Sequence, residues 1–555
     1  MQVKKSDLPW LYNYDSGVPH SMDYPEKPVV DLVKRHINNS PGRTAVLFFG
    51  KKISYGELGK AIDAFSFSLK KMGVKRGSKV ALLLPNCPQY IIAYYAILSL
   101  GAVVVPVNPL NTEREMIHIM NDAEVTIAVS INLLGPRIQK VREQSGIKEI
   151  IYTSLADYLP FPLNILFPFT QKVSPEAKEA VAKGLKFKDM LGDIPLGSKI
   201  ALAKPVDVHK DLAVLIYTSG TTGKPKGVML SNYALVVNAS HAKAWGMITE
   251  DDSMLAVLPI FHGFGMSVCM NAVLISGGVT VLLPRYQPEE LLKTVQKYKP
   301  TFFAGVPTMY IGLINLPNFK KYDLSSLRGC FVGAAALPQE VKNRFEKMTG
   351  SRLMEGYGLT EAVTAKSANP FKGINKTGSI GLPFPDTIMK IVDTETGKTQ
   401  LPPGEIGEII LKSPDMMLGY YNNQEDTDRT IRNGWLFTGD LGWMDKQGYF
   451  YIVERKKDLI ITGGFNVYPK EVEDVLYSHP AVAEACVVGI PDDYRGEAVK
   501  AFVVLREGKE ATGDELKAFC KEQLTPYKAP RGIEIRNDLP KSAIGKILRK
   551  ELREE

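Results

Sequence analysis

Four short stretches carry residue types that could work on a polyphosphate. The first is Tyr217-Thr-Ser-Gly-Thr-Thr-Gly-Lys-Pro-Lys-Gly227, with three glycines, a serine, three threonines and two lysines in eleven residues. Glycines let the backbone approach a ligand and turn its N–H groups inward, which builds an anion nest. Thr218, Ser219, Thr221 and Thr222 add hydroxyl donors, and Lys224 and Lys226 add positive charge. The spacing is not that of a Walker A loop: Gly220 and Gly223 stand too close together, and Pro225 follows Lys224 where that loop needs Ser or Thr. A solvated linker would need neither the lysines nor the apolar run Leu212-Ala-Val-Leu-Ile216, which reads as a buried strand ahead of the loop. The second stretch, Glu355-Gly-Tyr-Gly-Leu-Thr-Glu361, sets a ring between two glycines and ends on a carboxylate. The third, Gly434-Trp-Leu-Phe-Thr-Gly-Asp-Leu-Gly442, offers Asp440 and is followed by the charge run Glu454-Arg-Lys-Lys-Asp458, which alone could be a solvated turn. The fourth, Leu539-Pro-Lys-Ser-Ala-Ile-Gly-Lys-Ile-Leu-Arg549, puts Lys546 on a glycine turn one step before a helix.

The elements around these stretches read as α/β. From about residue 28 to 200, apolar runs suited to strands (44–49, 79–84, 125–129) alternate with helix-like segments (55–72, 90–100), and Thr112-Glu-Arg-Glu115 is a capping box opening another helix. That alternation predicts parallel sheet with covering helices. Residues 90–107 carry no charge, but Gly101 and Pro106 interrupt them. They read as a buried helix, a glycine stop and a buried strand, not as a membrane span. Residues 151–196 break the rhythm. Tyr158-Leu-Pro-Phe-Pro-Leu-Asn-Ile-Leu-Phe-Pro-Phe169 is apolar and proline-rich, and Lys172, Lys178, Lys183, Lys186 and Lys188 follow it. Prolines bar a long helix here. The insertion is either a loop packed on its own domain or an interfacial patch for a membrane surface. Ala256-Val-Leu-Pro-Ile-Phe-His-Gly-Phe-Gly265 puts Phe261 and His262 just past a strand, where the histidine is either a satisfied core residue or a ligand contact. Segments 301–308 and 329–336 end in small residues, which either leave volume for a ligand or serve close packing. After about residue 459, a helix at 471–478, strands at 483–488 and 498–505, a helix at 513–524 and a strand near 532–536 predict a separate small α+β domain.

At 555 residues the chain exceeds one core. A net charge of +8 suits acidic small ligands or an anionic membrane surface, and no nucleic-acid-binding motif is present. Cys87, Cys269, Cys330, Cys486 and Cys520 are far apart and show no metal spacing, so they read as buried free thiols in a reducing cytoplasm. The first residues form no signal peptide. Monomer and dimer both fit this sequence.

The glycine- and hydroxyl-rich loop at 217–227 resembles the phosphate loop of the adenylate-forming superfamily, and the other three stretches resemble its further motifs from about residue 28 to the end. The resemblance is strongest to bacterial-type long-chain fatty-acid–CoA ligases, with a medium-chain or aryl acid–CoA ligase, or a CoA-independent acyl-AMP ligase, as the alternative. It implies an α/β fold with a large N-terminal domain (1–454) of parallel-rich sheets with covering helices, a hinge (455–458) pivoting at Lys457, and a small mobile C-terminal domain (459–555). It implies ATP, Mg²⁺ and coenzyme A as the small molecules used, with a fatty acid. Nucleotide contacts are expected from Thr218, Ser219, Gly220, Thr221, Thr222, Gly223 and Lys224. More are expected from Gly333, Ala334, Ala335, Glu355, Gly356, Tyr357 and Gly358, and from Asp440 on the ribose, with Ile452 and Arg455 beside it. Thr360 and Glu361 would act on the α-phosphate and on magnesium, with Thr218 as a second metal contact. Lys546 would be the catalytic lysine. His262, Met266, Gly305, Val306, Gly333 and Gly358 would meet the acyl group, and Gly463, Gly464 and Phe465 would line the CoA tunnel. One departure bears on chain length: some long-chain members carry a tryptophan four residues after the histidine, where this chain has Met266.

Overall fold

The computed structural model describes residues 8–170, 174–194, 205–218, 225–335, 337–462, 465–492, 494–542 and 545–554. Two large, mostly parallel sheets form its main body. One has eight strands in the order 419–420, 226–231, 212–218, 103–106, 79–83, 127–131, 149–153, 185–186. Its six strands from 212–218 to 185–186 run parallel, and the strands at 226–231 and 419–420 add on antiparallel. The other has nine strands in the order 382–383, 365–368, 352–358, 329–332, 302–305, 253–256, 279–282, 44–48, 51–54, parallel except at its two ends.

Helix Pro88–Ser99 shows why the body holds together. Every residue in it is buried, as the uncharged, mostly apolar run from Tyr90 to Leu98 demands. It packs on the strands at 79–83 and 103–106. Tyr95 Oη donates to Asn271 Oδ1 at 2.8 Å, and Asn271 Nδ2 donates to Tyr94 Oη at 3.1 Å, so the helix also reaches the half of the chain that carries the nine-stranded sheet. Gly101 then takes φ +60°, a left-handed stop that lets strand Val103–Pro106 begin at once. No helix among the described residues is long and apolar enough to cross a membrane. The capping box is formed, with Glu115 N donating to Thr112 Oγ1 at 3.2 Å and Thr112 N donating to Glu115 Oε2 at 2.7 Å.

A five-stranded antiparallel sheet follows (388–392, 407–412, 431–432, 435–444 and 450–455). After Arg455 the chain builds a separate five-stranded sheet (460–462, 465–467, 482–492, 496–505, 532–536) covered by helices Pro469–Ser478 and Gly513–Gln523. It has its own core around Val472, Val487, Ala501 and Leu516. The five cysteines are buried and free.

The structure adds to the sequence reading around residues 151–196 and after His262. The rhythm-breaking stretch starts later than residue 151, because Glu149–Thr153 is a buried strand of the eight-stranded sheet. As its prolines require, its helices are short, Leu163–Thr170 and Pro175–Ala182. The chain just after His262 is a π-helix, Gly265–Asn271, which has no sequence period to betray it.

Candidate active site

The strand before the glycine-rich loop is Leu212–Thr218, and the chain returns antiparallel as Lys226–Ser231, with Thr218 opposite Lys226. These two described strands therefore pair as a hairpin. Residues Ser219, Gly220, Thr221, Thr222, Gly223 and Lys224 lie outside the described residues. Tyr217 turns away, its hydroxyl donating to Asp122 Oδ2 at 2.5 Å. Lys226 does not offer a free charge as expected: its ammonium sits 2.5 Å from Asp426 Oδ2 and lies over the Tyr420 ring.

Glu355, Gly356, Tyr357 and Gly358 run along strand Arg352–Gly358, antiparallel to Ala365–Ala368, with a bulge between Tyr357 and Gly358. A Cβ on Gly358 would fall 1.7 Å from the Thr364 carbonyl oxygen, so close backbone approach alone demands glycine there. Glu355 is buried, accepts Leu337 N–H at 3.2 Å, and has its carboxyl pushed up to about 7 by burial, against the pull of Lys470. Thr360 and Glu361 stand in a single 3-10 turn that Val363 reverses at φ +63°. Glu361 is clamped at both ends: Met417 N–H donates to its backbone carbonyl at 2.7 Å, and Tyr420 Oη donates to Oε1 at 2.7 Å.

Asp440 lies opposite Arg455 on paired strands. Its carboxylate is buried, accepting Tyr357 Oη at 2.6 Å on one oxygen and facing Arg455 Nε at 3.1 Å with the other. Burial and the facing carboxylate drive the Tyr357 phenol far above its ordinary range, so it stays a donor. Ile452 pairs with Gly442 two steps along, past a bulge, and its carbonyl accepts Lys470 Nζ at 3.2 Å.

Lys546 reaches this corner from the small sheet's unit. Its backbone closes a turn in which Ser542 N–H donates to the Lys546 carbonyl at 2.7 Å and Gly545 takes φ +77°. Thr308 Oγ1 donates to the Gly545 carbonyl at 3.2 Å, which docks the turn on helix Pro307–Ile314 of the main body. Burial and then the neighbouring Arg455 lower the Lys546 ammonium to about 8, with Asp440 opposing. Burial and then the Lys546 charge lower His262 to about 4, so its ring is neutral at pH 7. Lys546 thus feels the charges of Arg455 and Asp440, and His262 feels that of Lys546. The segment carrying His262 also abuts the Glu361 turn and Gly333: a Cβ on Gly263 would sit 2.2 Å from the Val363 carbonyl oxygen, and one on Gly333 would sit 3.3 Å from the Phe264 ring.

Not all the expected residues converge. Gly305 packs on the Phe303 and Tyr310 rings, which a Cβ would meet at 3.0 and 3.1 Å, so its smallness serves packing. Val306 and Met266 are buried, and Ala334 turns the chain at φ +69° beside Ala335. Phe465 lies exposed on the small sheet, stacked on Tyr527 at 4.7 Å, and Gly463 and Gly464 lie outside the described residues. Lys457 follows the last strand of the main body, Phe450–Arg455. The clamp from Tyr420 and Met417, and the docking of the Lys546 turn on Thr308, could not be read from the sequence, because each joins segments far apart in the chain.

Residues 33–421 match the family model of the AMP-binding enzyme, and residues 471–546 match that of the AMP-binding enzyme C-terminal domain. The chain belongs to the AMP-binding enzyme family. Within it, a long-chain-fatty-acid–CoA ligase of Bacillus subtilis (strain 168) is 45% identical, over 99% of this chain and 98% of the relative. Among solved structures, an anthranilate CoA ligase, AuaEII, in complex with anthranoyl-AMP superposes with a TM-score of 0.84 at 28% identity, covering 100% of this chain and 98% of that one. MatB from Rhodopseudomonas palustris is 31% identical, covering 95% of this chain and 98% of its own. Its ATP-bound structure matches with a TM-score of 0.81 and its apo structure with 0.71.

Proposed function

We propose that this AMP-binding family member is a fatty acid–CoA ligase that forms an acyl-adenylate and works best on long chains. The observation that carries the reading is the docking of the Lys546 turn on Thr308, which brings a terminal lysine beside Asp440, Arg455 and His262. In the first half-reaction a carboxylate oxygen attacks the α-phosphorus of ATP; the new O–P bond gives acyl-AMP and pyrophosphate leaves. Two anions must meet, so the task is electrostatic. Lys546 bridges carboxylate and α-phosphate with its ammonium. Thr360 donates to the phosphate, the loop at 218–224 holds the rest, and Asp440 accepts the ribose hydroxyls with Arg455 and Ile452 flanking. Tyr357 and Gly356 edge the base. Neutral His262 sits beside the acyl carboxyl without adding a competing charge.

Glu361 fits a cation carried mainly by nucleotide oxygens. It is a single half-buried carboxylate with one oxygen held by Tyr420, and among the described residues no group of three or more His, Cys, Asp and Glu gathers as a metal cluster. Magnesium held there with Thr218 would neutralise phosphate charge as the bond forms. In the second half-reaction the CoA sulfur attacks the acyl carbon and AMP leaves. The small domain (459–555) would turn about 455–458 with Lys457 as pivot, withdrawing Lys546 and bringing Gly463, Gly464 and Phe465 to the pantetheine path.

A named relative at 45% identity along the full chain supports long acids. The anthranilate ligase neighbour and Met266 in the gate position favour, as a second reading, aryl or medium-chain acids. Acyl-CoA and AMP formation from hexanoate to octadecanoate and benzoate, with and without CoA, decides. The proposal expects the highest kcat/KM with the longer chains and multiple turnovers only with CoA. A best substrate of benzoate or hexanoate, or AMP turnover indifferent to CoA, contradicts it.

We further propose a cytoplasmic enzyme that touches an anionic membrane peripherally. Phe161, Leu163, Ile165 and Leu166 are exposed on and beside helix Leu163–Thr170, and Lys178, Lys186 and Lys188 are exposed nearby in the chain. Apolar residues beside lysines suit such a surface. Vesicles of anionic lipid should bind the chain and should lose it after deletion of residues 158–169. Equal binding by the deletion variant removes this reading.

A further inference from the structure

Lys366 and Asp415 form an ion pair with no solvent exposure on either side chain. Asp415 also accepts Asn238 Nδ2 at 2.8 Å and the Ser413 hydroxyl. His241 faces it at 3.9 Å, but burial lowers that ring to about 3, so it is neutral and Lys366 is the counter-charge. Burying two ions this completely is costly, and an apolar pair of the same volume would stabilise the fold as well or better. Stability is therefore a poor reason for the pair. Its surroundings suggest a better one.

The pair joins the segments that build the nucleotide site. Lys366 stands on the strand just after Thr360 and Glu361. Asn238 stands on helix Asn232–Trp245, which follows the glycine-rich hairpin, and its amide also reaches the carbonyls of Ala365 at 3.1 Å and Ala362 at 3.4 Å, around the reversed Val363 turn. Its oxygen accepts Ser267 Oγ at 2.5 Å from the π-helix beside Met266. Asp415 begins the strap that grips Glu361 through Met417 and Tyr420, and the same strap bonds the hairpin strand, Leu418 N–H to the Met229 carbonyl at 2.9 Å and Tyr421 N–H to the Gly227 carbonyl at 2.7 Å.

We propose that the Lys366–Asp415 pair, through Asn238, is the positioning device that fixes the Glu361 carboxylate against the glycine-rich hairpin. Neither residue touches substrate. The proposal rests on Glu361 meeting magnesium-bound ATP, as read above. Its test is the double variant Lys366→Met/Asp415→Leu, which removes both charges at similar volume. Melting should change little. Acyl-AMP formation should slow about 10- to 100-fold, as a misplacement of about 1 Å costs. By calorimetry without acid, the preference for ATP with magnesium over ATP with EDTA should shrink several-fold, while pre-made acyl-AMP still yields acyl-CoA at the normal rate. Ser267→Ala removes one hydroxyl link and leaves the charges alone; it should move the same two readouts in the same direction, more weakly, and it decides the matter if the double variant does not fold. Wild-type adenylation and magnesium preference in both variants would overturn the proposal, as would equal loss in both half-reactions. Glu361→Gln is the control: if it leaves the magnesium preference unchanged, the reading of Glu361 fails independently of the pair.

Discussion

Lys546→Ala should slow acyl-AMP formation by about 10²–10³-fold, the loss that follows removal of one preorganised donor to developing charge. Pre-made acyl-AMP should still be converted to acyl-CoA at close to the normal rate. The asymmetry follows from the fold. Lys546 sits on a turn of the small unit that touches the main body through Thr308, so it can act in one arrangement and be absent from the other. A lysine that merely held the two units together would slow both halves equally, and that result would sink the assignment. A second readout comes from acid–base behaviour. Lys546 is lowered to about 8, so the free enzyme holds the ammonium below that pH and loses it above. The kcat/KM for adenylation should therefore fall as pH rises through about 8, and Lys546→Arg, if active, should carry that limb upward out of range.

Asp440→Ala should raise the KM for ATP by about 100-fold and leave the KM for the acid nearly unchanged. The carboxylate is buried and fixed by Tyr357 and Arg455, so it is already oriented before nucleotide arrives. Hydrogen bonds to a charged group contribute about 1.5–3 kcal/mol each, and two shared ribose contacts overlap, so about 3 kcal/mol in total is reasonable. The variant also strands the buried Tyr357 hydroxyl, so a melting point lower by a few degrees is expected. An ATP KM within about three-fold of wild type, measured on folded protein, would mean that Asp440 serves only to hold Tyr357 and Arg455.

Local signals carried most of what the sequence revealed. The Thr112–Glu115 capping box, the Gly101 stop and the strand before the glycine-rich loop depend on neighbours within a few residues, and each forms as read. The spacing inside Glu355–Glu361 is likewise local and places its ring and carboxylate on one strand and one turn. What escaped was set by distant partners. Lys226 read as a free charge because Asp426, which neutralises it, arrives two hundred residues later in the chain. The Lys366–Asp415 pair gave no sign, since a lone lysine and a lone aspartate normally lie in solvent. The hairpin was hidden for a related reason: a strand's own pattern does not say whether the next strand runs parallel or antiparallel.

The most direct measurement of the central claim follows the carboxylate oxygen. The enzyme is given hexadecanoic acid labelled with oxygen-18 in its carboxyl group, together with ATP, magnesium and CoA. If the acid attacks the α-phosphorus, one labelled oxygen leaves with AMP and none with pyrophosphate. Label in inorganic phosphate or pyrophosphate, with unlabelled AMP, would place the attack on another phosphorus and contradict the account.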